Sequence, residues 1–350
     1  MTTRRAFLGG AAAAAFCGCL GVRAGDPRVD AELRAQVASK LIAGGVCGRV
    51  GGPLHVAGLQ AWTPTPVPMA ADSIFDLASV GKTFTSYLCA KLYAEGLLDP
   101  DAPFTRYLPE HVLAKESCAI TVRDLAMHVG GFDNAKPYIN RDPAVYDREL
   151  FAKRPVRARG EKFEYACSNY VYLGRIVQKL TGLDLEAAAK RFIWDPLGMK
   201  DTCWHDIPGH PRAVQNALNG APPIGVKGDE AARVYPKAEG NGAAFSTASD
   251  MLRFADDLLN RRLLPKAAYE LLFTCGFEKG GARRSFGWDM CAKRTPAGWS
   301  AATISHGGFT GNTFAIDPER GVAAIVLTNR RGAWEAGYAG RARLLTLLGE

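Results

Sequence analysis

None of the nine cysteines in this 350-residue chain forms a Cys-x-x-Cys pair, and the six histidines, His55, His111, His128, His205, His210 and His306, show no metal-site spacing. Both absences argue against structural zinc, and no cofactor or metal is expected. There is no run of Lys and Arg and no interleaving of basic with aromatic residues; the basic side chains are scattered among acids, so nucleic acid is not an expected partner. No apolar stretch reaches the roughly 20 residues a membrane span requires, so no transmembrane span is expected and the mature protein should be soluble. Internal repeats and low-complexity tracts are also missing after the first 24 residues.

What is present begins with those 24 residues. Thr3-Arg4-Arg5-Ala6-Phe7-Leu8 precedes a small apolar run from Gly9 to Leu20 and then Val22-Arg23-Ala24, the pattern of a twin-arginine export signal. Residues 1–24 are therefore read as a signal and residues 25–350 as the mature domain, exported to the periplasm or beyond. Cys19 is a candidate lipid-attachment cysteine, although Phe16 stands where an aliphatic residue is expected. Removal of the segment takes away three arginines and no acid, so the formal charge falls from +8 to +5. Seven cysteines remain, Cys47, Cys89, Cys118, Cys167, Cys203, Cys275 and Cys291, an odd number that leaves at least one thiol free.

Ser79-Val80-Gly81-Lys82 carries the chemistry. A serine three residues before a lysine at a helix start places both side chains on one face, as nucleophile and proton partner. Val80, Phe84, Tyr87, Leu88 and Leu92 recur at helical spacing, which predicts an amphipathic helix over 79–95 with Ser79 in its first turn. The rival reading of Gly81-Lys82-Thr83 as the end of a phosphate-binding loop requires glycine five positions before Gly81. Asp76 stands there.

Helices are also expected over 31–42, 122–128, 169–181, 185–193, 248–259 and 334–348. Strands are expected as a pair within 46–60 around Gly51-Gly52-Pro53, and at 285–293, 301–306, 312–317 and 322–328. Strands at both ends with helices between them predict an α+β fold. One antiparallel sheet is built from the two termini (25–75 and 283–350) and flanked by terminal helices, with a mostly helical lobe inserted over 76–282. The cleft between the lobes is the expected site, for a small-molecule or peptide substrate.

In this frame the chain resembles the serine β-lactamase and penicillin-binding-protein superfamily, in its class C-like branch, with DD-peptidases, D-amino-acid peptidases and esterases. The resemblance rests on Ser79 to Lys82 together with Ile120-Thr-Val-Arg-Asp-Leu-Ala-Met-His-Val-Gly-Gly-Phe132, Phe163-Glu-Tyr-Ala-Cys-Ser-Asn-Tyr-Val-Tyr-Leu-Gly174, Trp194 to Thr202, Ala244 to Phe254 and Ile304 to Asn312. It implies an acyl-enzyme on Ser79 with Lys82 as its partner. Tyr165 matches the first residue of the family's Tyr-x-Asn motif; Cys167 stands in the asparagine's place, and Asn169 is the candidate to supply the missing amide. His306-Gly307-Gly308 takes the place of Lys-Thr-Gly, with a histidine that titrates near neutrality and could pair with an anionic substrate. By the same likeness the backbone N–H groups of Ser79 and Phe309 form the oxyanion hole, and Gly307 and Gly308 leave room for substrate along the strand edge. Asp124, His128 and Asn134 are read as supporting the fold. The expected activity is an exported serine hydrolase acting on ester, amide or β-lactam bonds, an esterase or peptidase rather than an efficient β-lactamase. A class C-like β-lactamase and a slowly acylated penicillin sensor are the alternatives.

Overall fold

The computed structural model describes residues 25–115, 118–136, 139, 142–216, 222–235 and 237–350; the signal segment and Cys19 lie outside the described residues. Among the described residues eleven strands are formed: β1 (Ile42–Arg49), β2 (Leu54–Ala61), β3 (Val67–Pro68), β4 (Phe75–Asp76), β5 (Phe245–Ser246), β6 (Phe277–Lys279), β7 (Ala282–Ser285), β8 (Trp288–Asp289), β9 (Ile304–Gly308), β10 (Asn312–Asp317) and β11 (Val322–Arg330). Nine of them make one sheet in the order β3-β2-β1-β11-β10-β9-β8-β7-β6, and β4 pairs with β5 apart from it. The pairings are antiparallel, and β1 meets β11 with Cys47 opposite Val326. The sheet is thus assembled from the two ends of the chain, as the strand distribution predicts.

Side chains alternate across a pleated sheet. Val46, Phe314, Ile316, Ile325 and Leu327 join the large core shared with the inserted helices. Their neighbours Cys47, Ala315, Ala324 and Val326 pack instead with Val29, Leu33, Leu344, Leu345 and Leu348 of the two terminal helices. Both faces are covered, which explains the unbroken apolar run Val322 to Leu327.

The first helix spans Pro27–Ala38 rather than 31–42. Asp26 caps it by accepting from the Arg28 N–H at 2.8 Å, and Pro27 suits the first helical position. Lys40, at φ 59°, turns the chain into β1. The single strand expected over 285–293 is instead a hairpin, β7 and β8, turned at Gly287 with φ 98°. A second hairpin joins β6 to β7 through Gly280 and Gly281, at φ 60° and 78°, so sheet strands start at Phe277 and not at 283. β8 meets β9 only at Asp289 and Ser305, which leaves the His306–Gly308 edge beyond its reach.

The inserted helices include Lys82–Ala94, Val122–Met127, Pro143–Ala152, Cys167–Thr181, Leu185–Ala189, Ala248–Asn260 and Lys266–Phe273; Trp334–Gly349 closes the chain. The helix after Ser79 is buried on almost every side, from Lys82 to Ala90 and again at Leu92, so it is the central helix of the lobe and not an amphipathic surface helix. Among the described residues no helix is long and apolar enough to cross a membrane, and the seven described cysteines are all free.

Candidate active site

Ser79 sits in a short 3-10 turn, Ala78–Gly81, that feeds directly into the Lys82 helix. The residue before it is strained: Ala78 has φ 46°, a left-handed conformation that costs a non-glycine residue about 1–3 kcal/mol. Two hydrogen bonds hold it there. The Ala78 N–H donates to Asp76 Oδ1 at 2.9 Å, and the Ala78 carbonyl accepts from the Ala243 N–H at 2.8 Å. Asp76 is clamped in turn, its second carboxylate oxygen accepting from the Gly228 N–H at 2.6 Å and its carbonyl from Thr310 and Asn312. Burial pushes its carboxyl up to about 6, against the pull of those N–H donors.

Two side chains converge on Ser79 Oγ. Lys82 Nζ donates to it at 3.1 Å, and the Tyr165 hydroxyl donates at 2.7 Å. Lys82 is fully buried. Its remaining hydrogens point to the Asn241 carbonyl and, at 3.9 Å, to Cys167 Sγ, so an ammonium has an acceptor for each of its three donors. Burial works against that charge, but Cys167, Tyr165 and Asp229 outweigh it and hold the lysine above its usual range. Tyr165 is raised as well, by burial, with Lys82 lowering it; its ring lies 5.0 Å from Nζ. The resting site therefore holds an ammonium and a neutral phenol.

β9 brings the third element. His306 is 6% exposed, and its Nδ1 lies 3.0 Å from the Gly307 carbonyl, which fixes the proton on Nδ1. Burial, then Lys82 and Arg284, push its imidazole down to about 3. The expectation of a histidine charged near neutrality is corrected: His306 stays neutral, because a low-dielectric site with two nearby cations disfavours a third. Gly308 is required by contact, since a Cβ there would lie 2.4 Å from the Leu77 carbonyl oxygen, whereas one at Gly307 would meet nothing closer than 3.9 Å. Phe309 follows with its side chain 58% exposed.

Asn169 is not in the cleft. As the third residue of the Cys167–Thr181 helix it turns inward, fully buried, with Nδ2 3.1 Å from His128 Nδ1. The expectation that it presents an amide to substrate is corrected on that ground. Cys167 does face Lys82, and its own N–H donates to Asn134 Oδ1 at 2.9 Å. That bond leaves the amide nitrogen of exposed Asn134 as a donor beside the cysteine. Asn134, read from the sequence as supporting the fold, thus also borders the site, whereas Asn241, whose carbonyl binds Lys82, carries no signal in the sequence; neither stands at a fixed spacing from the serine.

Comparison with known proteins agrees with the geometry. The Beta-lactamase family profile matches residues 29–348. A putative D-alanyl-D-alanine carboxypeptidase of Escherichia coli (strain K12) is 27% identical over 76% of this chain and 71% of its own length. Esterase EstB of Burkholderia gladioli is 28% identical over 75% of this chain and 79% of its own. Among solved structures, a class C beta lactamase superposes with a TM-score of 0.76 at 20% identity, covering 92% of this chain and 97% of that one. The octameric penicillin-binding protein homologue from Pyrococcus abyssi gives 0.73 at 20%, covering 92% and 77%. With a profile running through nearly all of the described residues and a fold shared along its length, this chain belongs to the beta-lactamase family of serine hydrolases.

Proposed function

We propose that the protein is an exported hydrolase that forms an acyl-enzyme on Ser79 and acts on neutral esters or small amides in preference to β-lactams. The observation that carries the reading is the convergence of Lys82 Nζ and the Tyr165 hydroxyl on Ser79 Oγ. Lys82 and Tyr165 share the proton work. With the lysine as ammonium, the charge beside its ring favours release of the phenol proton to solvent, and the phenolate takes the Ser79 proton as Oγ bonds to the carbonyl carbon. The N–H groups of Ser79 and Phe309 receive the oxyanion, and the phenol returns its proton to the departing group. Water then repeats the sequence on the acyl-enzyme and releases the acid.

Two features favour a neutral ester. A neutral His306 offers no cation to a substrate carboxylate, and Cys167 is a poor amide substitute, leaving Asn134 as the donor to an acyl carbonyl. The twin-arginine pattern of Arg4 and Arg5 supports export. The test is a screen of the purified protein and its Ser79→Ala variant against nitrophenyl esters, D-aminoacyl amides and a chromogenic cephalosporin. Ester or amide turnover that vanishes with Ser79→Ala is expected; turnover that survives the substitution, or a single stoichiometric burst with every substrate, overturns the reading.

A further inference from the structure

Tyr165 lies in an irregular segment just before the Cys167–Thr181 helix, and the helix cap at Ala166 has no side-chain partner. Its phenol must nevertheless be held within hydrogen-bond reach of Ser79. The residue that holds it is His128, at the end of the Val122–Met127 helix and in a left-handed conformation, φ 59°. The peptides on both sides of Tyr165 are tied to it: the Glu164 N–H donates to the His128 carbonyl at 2.9 Å, and the Ala166 N–H donates to His128 Nδ1 at 3.2 Å. Asn169 Nδ2 adds a second donor to that nitrogen at 3.1 Å. The imidazole also lies against the phenol, with ring centroids 4.6 Å apart and planes inclined by 33°.

We propose that His128 is a positioning residue for the reaction, a jig that grips the chain before and after Tyr165 and sets the phenol against Ser79 and Lys82. This rests on the reading of Tyr165 as the proton carrier. Because Nδ1 accepts two hydrogen bonds, its proton is on Nε2 and the ring is neutral. Burial, with Arg284, Lys82 and His306 nearby, keeps it so by holding it well below the usual histidine range. The titratable and charged groups around the pair are Lys82, Cys167, Tyr170, Arg284 and His306. A neutral acceptor at this point orders the segment without adding a third positive charge to the site.

Two substitutions in the full-length protein separate the parts of the jig. His128→Phe keeps a ring but removes the acceptor; His128→Asn keeps an acceptor where Nδ1 stands and tolerates the left-handed backbone. Each is made alone and with Tyr165→Phe, with folding followed by circular dichroism and kcat and KM measured on a nitrophenyl ester from pH 6 to 11, corrected for spontaneous hydrolysis, so that the range reaches the ionisation of a raised phenol. A misplacement of about 1 Å costs roughly 100-fold, so His128→Phe should lower kcat by about that factor while KM changes by less than about threefold. His128→Asn should recover most of the loss. The acid limb of kcat should move to higher pH in His128→Phe, because a phenol displaced from Lys82 loses the charge that eases its ionisation. In the Tyr165→Phe background neither substitution should cost more than about threefold. The proposal falls if folded His128→Phe keeps wild-type kcat and pH profile, if the loss is as large without the phenol as with it, or if His128→Asn is no better than His128→Phe. Should His128→Phe not fold, His128→Ala, which likewise lacks an acceptor at the Nδ1 position, takes its place with the same expected and refuting outcomes. A Tyr165→Phe enzyme of full activity would instead remove the underlying reading, a result distinct from failure of the jig.

Discussion

Adjacent glycines on β9 permit a test with its own internal control. A Cβ on Gly308 would stand 2.4 Å from the Leu77 carbonyl oxygen, two residues before the nucleophile, while ordinary contact begins near 3.4 Å. Gly308→Ala must therefore part the strand from the serine turn by about 1 Å, and neither side yields easily, since both are backbone. Overpacking of this kind costs about 1–3 kcal/mol, which in a protein of this size lowers Tm by roughly 2–6 °C. The same displacement separates Ser79 from the Phe309 N–H, the pair proposed to receive the oxyanion, and a 1 Å error there costs roughly 100-fold in rate. Gly307→Ala places its Cβ 3.9 Å from Asn312 and Trp334, ordinary van der Waals distances, so Tm should stay unchanged. Differential scanning calorimetry with kcat/KM for a nitrophenyl acetate reads both quantities. Wild-type stability and activity in Gly308→Ala, or an equal loss of stability in Gly307→Ala, would refute the contact and the role given to the strand.

Other expectations concern the proton-carrying groups. Ser79→Ala should abolish covalent labelling by a fluorophosphonate and leave Tm nearly unchanged, since one small hydroxyl contributes little to stability; retained labelling removes the nucleophile assignment. Lys82→Ala and Tyr165→Phe should each slow acylation by about 100-fold or more, and the double variant should be little worse than the poorer single; rapid-quench rates that multiply would show independent action. Because His306 is held neutral with its imidazole pushed down to about 3, carboxylate-bearing and neutral esters should follow the same pH–rate profile between pH 5 and 8, and a preference for the anion below neutrality would contradict that. The depressed value also bears on folding. His306 contributes stability that is fully present above the unfolded value near 6.5 and is lost as pH falls toward 3, so urea midpoints should decline on acidification less steeply in His306→Gln than in the wild type.

The parts of the site that could be read from the sequence are those fixed by short spacing. Ser79 and Lys82 are one turn apart, and Tyr165 lies in a long ordered match, so their convergence could be expected from local sequence. The sheet was legible because β-branched strands cluster at the two ends of the chain. Long-range properties were not. The charge of His306 depends on burial and on Lys82 and Arg284, which arrive from other elements. Asn169 could not be placed without knowing where the helix starts; with Cys167 as its first residue, position 169 turns inward. The β6–β7 hairpin carries one usable signal, the Gly280-Gly281 pair, but Phe277–Lys279 shows no apolar alternation that would mark it as a strand. Asn241 is the clearest case of silence, since its carbonyl, not its side chain, does the binding, and any residue type offers a carbonyl.

The pairing of β1 with β11 makes this a fold of long loop closure. The hydrogen bond from the Gly44 N–H to Asn329 Oδ1 joins residues 285 positions apart, and the first helix is tied to the last through Gln36 and the Gly340 carbonyl. During synthesis β1 and β2 emerge early and wait, with an open edge on β1, until nearly the entire chain has been made. The inserted helices, whose contacts are nearer in sequence, can collapse in that interval. Because β9, which lies against Leu77, is made together with β10 and β11 near the end of the chain, the site can be completed only when synthesis is almost over; the chain has no active hydrolase to release until its last strands are made.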